Sequence, residues 1–143
     1  FAGDIHFSKK VECDVENVRV PSMILQPVVE NAVNHGIRNI DWEGHIDLSV
    51  ERWNDHIEIS VRDNGLGMTG EQIQRVLSKK VHSSSGEGDS TGIGMNNVIS
   101  RLELYYERDG LMEIYSEGEG MGTEVVINIP LERSEKNVQN PDC

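Results

Sequence analysis

Asp63-Asn64-Gly65-Leu66-Gly67 is followed along the chain by Gly92-Ile93-Gly94-Met95-Asn96-Asn97, and Glu30-Asn31-Ala32-Val33-Asn34-His35 precedes both. A carboxylate at a strand end can accept a hydrogen bond from an exocyclic amine such as adenine N6. Gly65 and Gly67, which lack a Cβ, let the backbone run close to a flat ring. Two glycines ahead of a helix leave its free N–H groups open to an anion, which marks Gly92 and Gly94. The amide oxygen of Asn31 is a hard, neutral ligand of the kind magnesium accepts beside phosphates. Each signal has a plainer reading taken alone. Asp-Asn-Gly makes a tight turn, Gly-Ile-Gly makes a hinge, and a polar stripe makes a solvated helix face. In this order they read as an ATP site of a kind that lacks a P-loop, since no Gly-x-x-x-x-Gly-Lys-Ser/Thr segment occurs.

Other chemistries are disfavoured. The five histidines, at 6, 35, 45, 56 and 82, show no metal-ligand spacing, and no Ser-His-Asp or Cys-His arrangement stands out. Gly92-Ile93-Gly94 resembles part of a dinucleotide fingerprint, but a loop precedes it where a strand should. The formal net charge of −12 argues against a nucleic-acid or anionic-membrane surface. It does not argue against ATP, which needs only local donors and a magnesium ion. Cys13 and Cys143 suggest no disulfide framework, so a reducing compartment is expected. No apolar run approaches the roughly 18 residues of a membrane span, and no signal peptide is evident. The 143 residues open on Phe1 rather than Met, which reads as a piece of something longer.

The elements that must position these residues are legible in outline. Residues 5–19 alternate loosely, as one or two short strands. Pro21 and Ser22 are placed to open a helix whose apolar residues, Ile24, Leu25, Val28, Val29, Ala32, Val33 and Ile37, fit a 3.6-residue period. Pro27 inside that pattern predicts a distorted or late-starting first turn. On this helix Gln26, Glu30, Asn31, Asn34 and Arg38 share the opposite, polar face. Residues 45–52 and 56–62 alternate as an antiparallel hairpin turning at Asn54-Asp55. Thr69 can cap a short helix over 70–80 with Glu71 in its first turn. Residues 82–92 carry no apolar side chain and read as a mobile loop. A helix over 93–107 would turn Met95, Val98, Ile99, Leu102 and Tyr105 or Tyr106 inward. Residues 111–117 and 122–130 form a second hairpin, and the chain from Glu132 onward is a polar tail. The expected class is α+β, one domain over residues 1–131, with helices layered on one face of a mixed sheet.

Together these motifs resemble the GHKL ATPases, the family named for gyrase, heat-shock chaperone, histidine kinase and MutL. Glu30-Asn31-Ala32-Val33-Asn34-His35 is similar to the N box, Asp63 to Met68 to the G1 box, Gly92 to Met95 to the G2 box, and Gly122-Thr123-Glu124-Val125 to the short strand motif after them. The runs from Val20 to Ile37 and from Gly92 to Leu102 resemble the LytS and YesM type of bacterial sensor histidine kinase. The resemblance covers residues from about 20 to 130. It implies the two-layer α/β sandwich of the Bergerat ATP-binding fold, with a mixed, mostly antiparallel sheet and three helices on one face.

It also implies roles. Asn31 matches the magnesium-binding asparagine, and Asp63 the adenine-binding aspartate backed by Gly65 and Gly67. Gly92 and Gly94 match the hinges of a lid over the phosphates. Thr123 matches a threonine near the adenine pocket, and His35 a residue packed at the nucleotide. Asn34 falls where many relatives place a phosphate-contacting lysine. Pro27 falls where gyrase-like ATPases carry a catalytic glutamate, which argues against hydrolysis in their manner. Glu30 is a candidate general base. The implied activity is protein-histidine kinase: ATP with Mg2+ as donor, and a histidine on a dimerisation segment outside this chain as acceptor. The implied partners are that segment and a downstream response regulator. The isolated chain is expected to be a monomer, and the full-length receptor a membrane-anchored homodimer with this domain in the cytoplasm. The alternative is a degenerate nucleotide-binding module without phosphotransfer. An anti-sigma serine kinase and a gyrase/MutL-type ATPase are disfavoured by the N-box wording and by Pro27.

Overall fold

The structure is a computed structural model that describes residues 5–11, 24–38, 40–78 and 90–131. Its elements in chain order are β1 (Ile5–Val11), α1 (Leu25–Asn31), a π-helical continuation (Ala32–Ile37), β2 (Gly44–Arg52) and β3 (His56–Asp63). Then come α2 (Gly70–Leu77), α3 (Ser90–Tyr106), β4 (Met112–Tyr115) and β5 (Thr123–Pro130). The sheet runs β1-β2-β3-β5-β4. Among the described residues β1 and β2 pair in parallel, and the other three pairings are antiparallel.

Register explains why the sheet has one core face. Leu48, Val61, Val125 and Ile114 lie in one row across β2, β3, β5 and β4, and all are buried. Their sequence neighbours point the other way and give the row Asp47, Arg62, Glu124 and Tyr115, which is polar or amphipathic. The helices contribute Val28, Ile37, Val76, Met95, Val98 and Leu102 to the same apolar cluster as the first row. Helices on one face of a mixed, mostly antiparallel sheet are therefore observed as expected.

Both hairpins form, but β3 pairs with β5, so the second hairpin joins the sheet through its later strand. Pro27 sits in the first turn of α1, where the amide hydrogen it lacks would have had no helical partner. Past Asn31 the helix departs from the α period of its sequence. From Ala32 it widens to a π turn, in which Arg38 donates its N–H to the Val33 carbonyl at 2.9 Å. Helix α2 starts at its expected cap and ends at Leu77, short of residue 80. Thr69 Oγ1 accepts from the Gln72 N–H at 3.1 Å while the Thr69 N–H donates to Gln72 Oε1 at 2.8 Å, a reciprocal capping box. Helix α3 begins at Ser90 rather than 93, so Gly92 and Gly94 fall within it, not ahead of it. Of its two tyrosines Tyr106 is half-buried against the core and Tyr105 is exposed. The expected strand residues 12–19, the helix start at Pro21 and Ser22, most of the 82–92 loop and the tail from Glu132 lie outside the described residues.

Candidate nucleotide site

Asp63 is the last residue of β3, and the pleat turns its carboxylate to the core face, beside Thr123 on β5. It is 7% exposed. Three segments close around it, each bringing a glycine. A Cβ on Gly36 would stand 2.7 Å from the Asp63 carboxylate carbon, and one on Gly65 would stand 1.8 Å from the Gly36 carbonyl oxygen. Gly122, at φ +77°, would place a Cβ 2.2 Å from the Asp63 carbonyl oxygen. The carboxylate survives burial because Oδ1 accepts the Gly65 N–H at 2.8 Å. Burial still dominates: it raises the Asp63 pKa from 3.8 to about 6, against the lowering effect of backbone hydrogen bonds from Gly65 and Thr123.

The turn after Asp63 is tied on both sides. Leu66 donates its N–H to the Gly36 carbonyl at 2.8 Å, and Gly122 donates to the Gly65 carbonyl at 3.1 Å. Ser116 Oγ accepts the Met68 N–H at 3.0 Å and donates to the Gly122 carbonyl at 2.6 Å. Gly67 adopts φ +77°, a left-handed conformation that favours glycine. Asn64 does more than turn the chain. Its Oδ1 accepts the His45 N–H at 2.7 Å and its Nδ2 donates to the Glu43 carbonyl at 2.9 Å, which fixes the turn to the start of β2.

Above Asp63 opens a cavity of about 410 Å³. Asn31, His35 and Gly36 wall it from α1 and the π turn; Asp63, Gly67 and Thr123 wall it from the strand ends and the turn. Gly65 packs behind the wall, against Gly36. Asn31 Oδ1 is buried and has no hydrogen-bond partner among the described residues. A buried, unpaired amide oxygen is costly unless something binds it. Asn31 lines the cavity, so a turn of its amide would bring that oxygen to an oxygen-seeking cation there. Among the described residues no group of three or more His, Cys, Asp or Glu side chains could hold a metal. A cation could rest on Asn31, water and the ligand's own oxygens, as magnesium commonly does.

The polar stripe expected on the first helix is divided by the structure. Asn31 and His35 face the cavity, while Glu30 and Asn34 are exposed and absent from its wall. Gln26 Nε2 donates to Glu30 Oε1 at 2.9 Å along that outer face. Gly94 is absent from the described cavity wall, and space around it is open. Sequence reasoning missed a further wall, made by Thr69, Gln72, Arg75 and Val76 of α2 and its cap. Their i, i+3, i+6, i+7 spacing was the available signal. Glu119, from the β4–β5 connection, was missed as well.

The chain is similar to known proteins. Residues 20–133 match the family described as "Histidine kinase-, DNA gyrase B-, and HSP90-like ATPase". Sensor histidine kinase YpdA of Escherichia coli is 33% identical over 125 residues, covering 82% of this chain and 19% of that protein. Sensor histidine kinase/phosphatase LytS of Staphylococcus aureus is 30% identical over 137 residues, covering 95% of this chain and 22% of that protein. The chain thus spans about a fifth of the length of these curated relatives. Among solved structures, the catalytic domain of histidine kinase ThkA superposes with a TM-score of 0.62 at 20% identity, covering 92% of this chain and 82% of that one. A mycobacterial sensor histidine kinase, MprB, gives a TM-score of 0.61 at 20% identity, covering 88% and 81%. No helix among the described residues is long and apolar enough to cross a membrane. The chain belongs to the histidine kinase-, DNA gyrase B- and HSP90-like ATPases.

Proposed function

We propose that this domain binds ATP with magnesium and presents the γ-phosphate to a histidine on a segment outside residues 1–143. The observation that carries the reading is Asp63. A carboxylate packed against Gly36 and bonded by the Gly65 N–H at the floor of a cavity is an acceptor held ready for a flat donor such as the adenine amine. Thr123, its register partner, and Gly67 would flank the base. Asn31 Oδ1 would hold the metal beside the phosphates, with His35 one helical turn further along the same wall. Magnesium, when bound there, supplies neutralisation of charge on the phosphoryl oxygens.

The chain's own contribution is then positioning. Asp63 fixes the base, the welded turn fixes Asp63, and the α1 wall fixes the triphosphate end, so that the reacting phosphorus lies where an incoming imidazole can attack in line. Gly92 and Gly94 are proposed to hinge the cover over that end. Glu30 is exposed on the outer side of α1. It is proposed as the residue that meets the incoming histidine rather than one that touches ATP; Asn34, exposed on the same helix face, is proposed to help at the phosphate mouth. The domain is proposed to span residues 1–131, and to sit in the cytoplasm as part of a membrane-anchored, dimeric receptor that hands its phosphoryl group to a response regulator.

The test is a phosphotransfer assay with labelled ATP. The isolated chain should form no acid-labile phosphohistidine, and adding a helical segment bearing the acceptor histidine of a LytS-type receptor should give it. Stable phosphohistidine on the isolated chain would overturn the claim that the acceptor lies elsewhere. Binding of Mg-ATP without transfer to any such segment would favour a nucleotide-binding module.

A further inference from the structure

The cavity's charge does not yet fit its proposed ligand. Two carboxylates line it, Asp63 and Glu119, and the chain as a whole carries a net charge of −12. A nucleoside triphosphate is itself strongly anionic, so a single bound cation at Asn31 leaves negative charge uncompensated. Among the described residues on the wall, one side chain is permanently cationic: Arg75.

Arg75 is held in place by its helix. Val76 beside it is 4% exposed and anchors α2 in the core, and the capping box at Thr69 and Gln72 sets the helix's entry. Gln72 and Arg75 are three residues apart, so the two side chains share the face that α2 turns to the cavity. The guanidinium's carboxylate neighbour on its own helix is Glu71, at 3.7 Å, beyond hydrogen-bonding distance. Their side chains are 46% and 85% exposed, so this is a solvent-screened i,i+4 pair of small energy. A phosphoryl group offers the guanidinium two oxygens in matched geometry, a far better partner than Glu71 at that distance.

We infer that Arg75 contacts the phosphoryl oxygens of the bound nucleotide, turning from Glu71 to do so, and supplies the cavity's preference for charged over uncharged adenosine ligands. The inference rests on the nucleotide reading of the site. It adds a binding residue that the motifs around Asn31, Asp63 and Gly92 do not contain.

Calorimetric titration of the chain with Mg-ATP, ADP and adenosine separates the two claims. Wild type should bind all three, with ATP and ADP tighter. Arg75→Gln should weaken ATP and ADP by about tenfold or more, as loss of a charged hydrogen bond does, and leave adenosine within about twofold. Arg75→Lys should recover part of the loss, and the salt dependence of ATP binding should flatten in Arg75→Gln. Glu71→Gln should leave ATP affinity unchanged or tighter. Arg75 is half-exposed, so the variant should keep its fold, which circular dichroism checks. Unchanged ATP affinity in Arg75→Gln, or an equal loss for adenosine, overturns the inference and leaves the nucleotide site standing. If wild type binds none of the three, the site reading and the inference fall together.

Discussion

Asp63→Asn separates the two consequences of burying a carboxylate at the cavity floor. The first is stability. The pKa of Asp63 is about 6 in the fold against 3.8 for an ordinary aspartate. That gap corresponds to roughly 3 kcal/mol by which the ionised folded state is disfavoured. The sign follows from linkage. Between the two values the folded chain holds a proton that the unfolded chain has released, so stability falls as pH rises from about 4 to about 6 and is level above that. Asparagine is nearly isosteric, stays neutral, and can still accept the Gly65 N–H that Asp63 Oδ1 now receives at 2.8 Å. Its hydrogen bond is weaker than one to a charge, so the net gain should be less than the full figure, about 1–2 kcal/mol. The ligand-free variant should therefore be more stable than wild type at pH 8, and no more stable at pH 4. Other carboxylates titrate over the same range, so the quantity to measure is the wild-type minus variant difference in denaturant unfolding at each pH. The second consequence is binding. Replacing an acceptor by an amide should weaken ATP by about 1–3 kcal/mol or more, and wild type should prefer ATP to GTP, whose base presents a carbonyl at that edge. A variant less stable than wild type at pH 8, or a difference indifferent to pH, would refute the desolvation argument. Undiminished ATP affinity would refute the role in recognition.

Asn31→Ala removes the buried, unpartnered Oδ1 at the cavity wall. ADP affinity should drop in the presence of magnesium and stay close to wild type in its absence; an equal change in both would make Asn31 structural. Gly65→Ala drives a Cβ to 1.8 Å from the Gly36 carbonyl oxygen, a backbone atom that cannot swing aside. It should destabilise the fold by about 2–3 kcal/mol in thermal or chemical melting. Gly70→Ala, whose Cβ would meet nothing within 4 Å, should be close to neutral and serves as the control.

The sequence made most of the framework readable, because strand alternation and capping chemistry are local. The alternating runs at 45–52 and 56–62 became β2 and β3 within one residue at each end, and Thr69 became a cap. Asp63 was readable as a strand-end carboxylate, but not its enclosure, since Gly36, Gly65 and Gly122 meet only in three dimensions. The π turn was hidden for a related reason. Apolar residues at 28, 29, 32, 33 and 37 fit an α period well, and the wider turn brings Gly36 against Asp63, a contact far along the chain. The start of α3 was misplaced because two glycines argue locally against helix, while packing of Met95, Val98 and Leu102 in the core outweighs that preference. Arg75 carried no signal in the sequence, because a half-exposed arginine on a short amphipathic helix bears no mark of the cavity behind it.

The three glycines have a consequence for how the site is assembled. Asp63 is kept dry by backbone from the π turn, from its own following turn and from the approach to β5. Each of these segments is joined to another by a main-chain hydrogen bond: Leu66 to Gly36 and Gly122 to Gly65. Opening the Gly36 side lets water reach the carboxylate and relieves its desolvation, so the buried charge works against the closed arrangement while the bonds work for it. An amine donor bound at the carboxylate removes the penalty without opening anything. A ligand that hydrogen-bonds Asp63 is therefore favoured because its bond offsets a desolvation cost the closed arrangement already carries. That couples occupancy of the cavity floor to the rigidity of all three segments, including the π turn that carries His35 and continues directly from Asn31. The base end of a nucleotide would in this way firm the wall that meets its phosphates, although the two ends touch different elements of the chain.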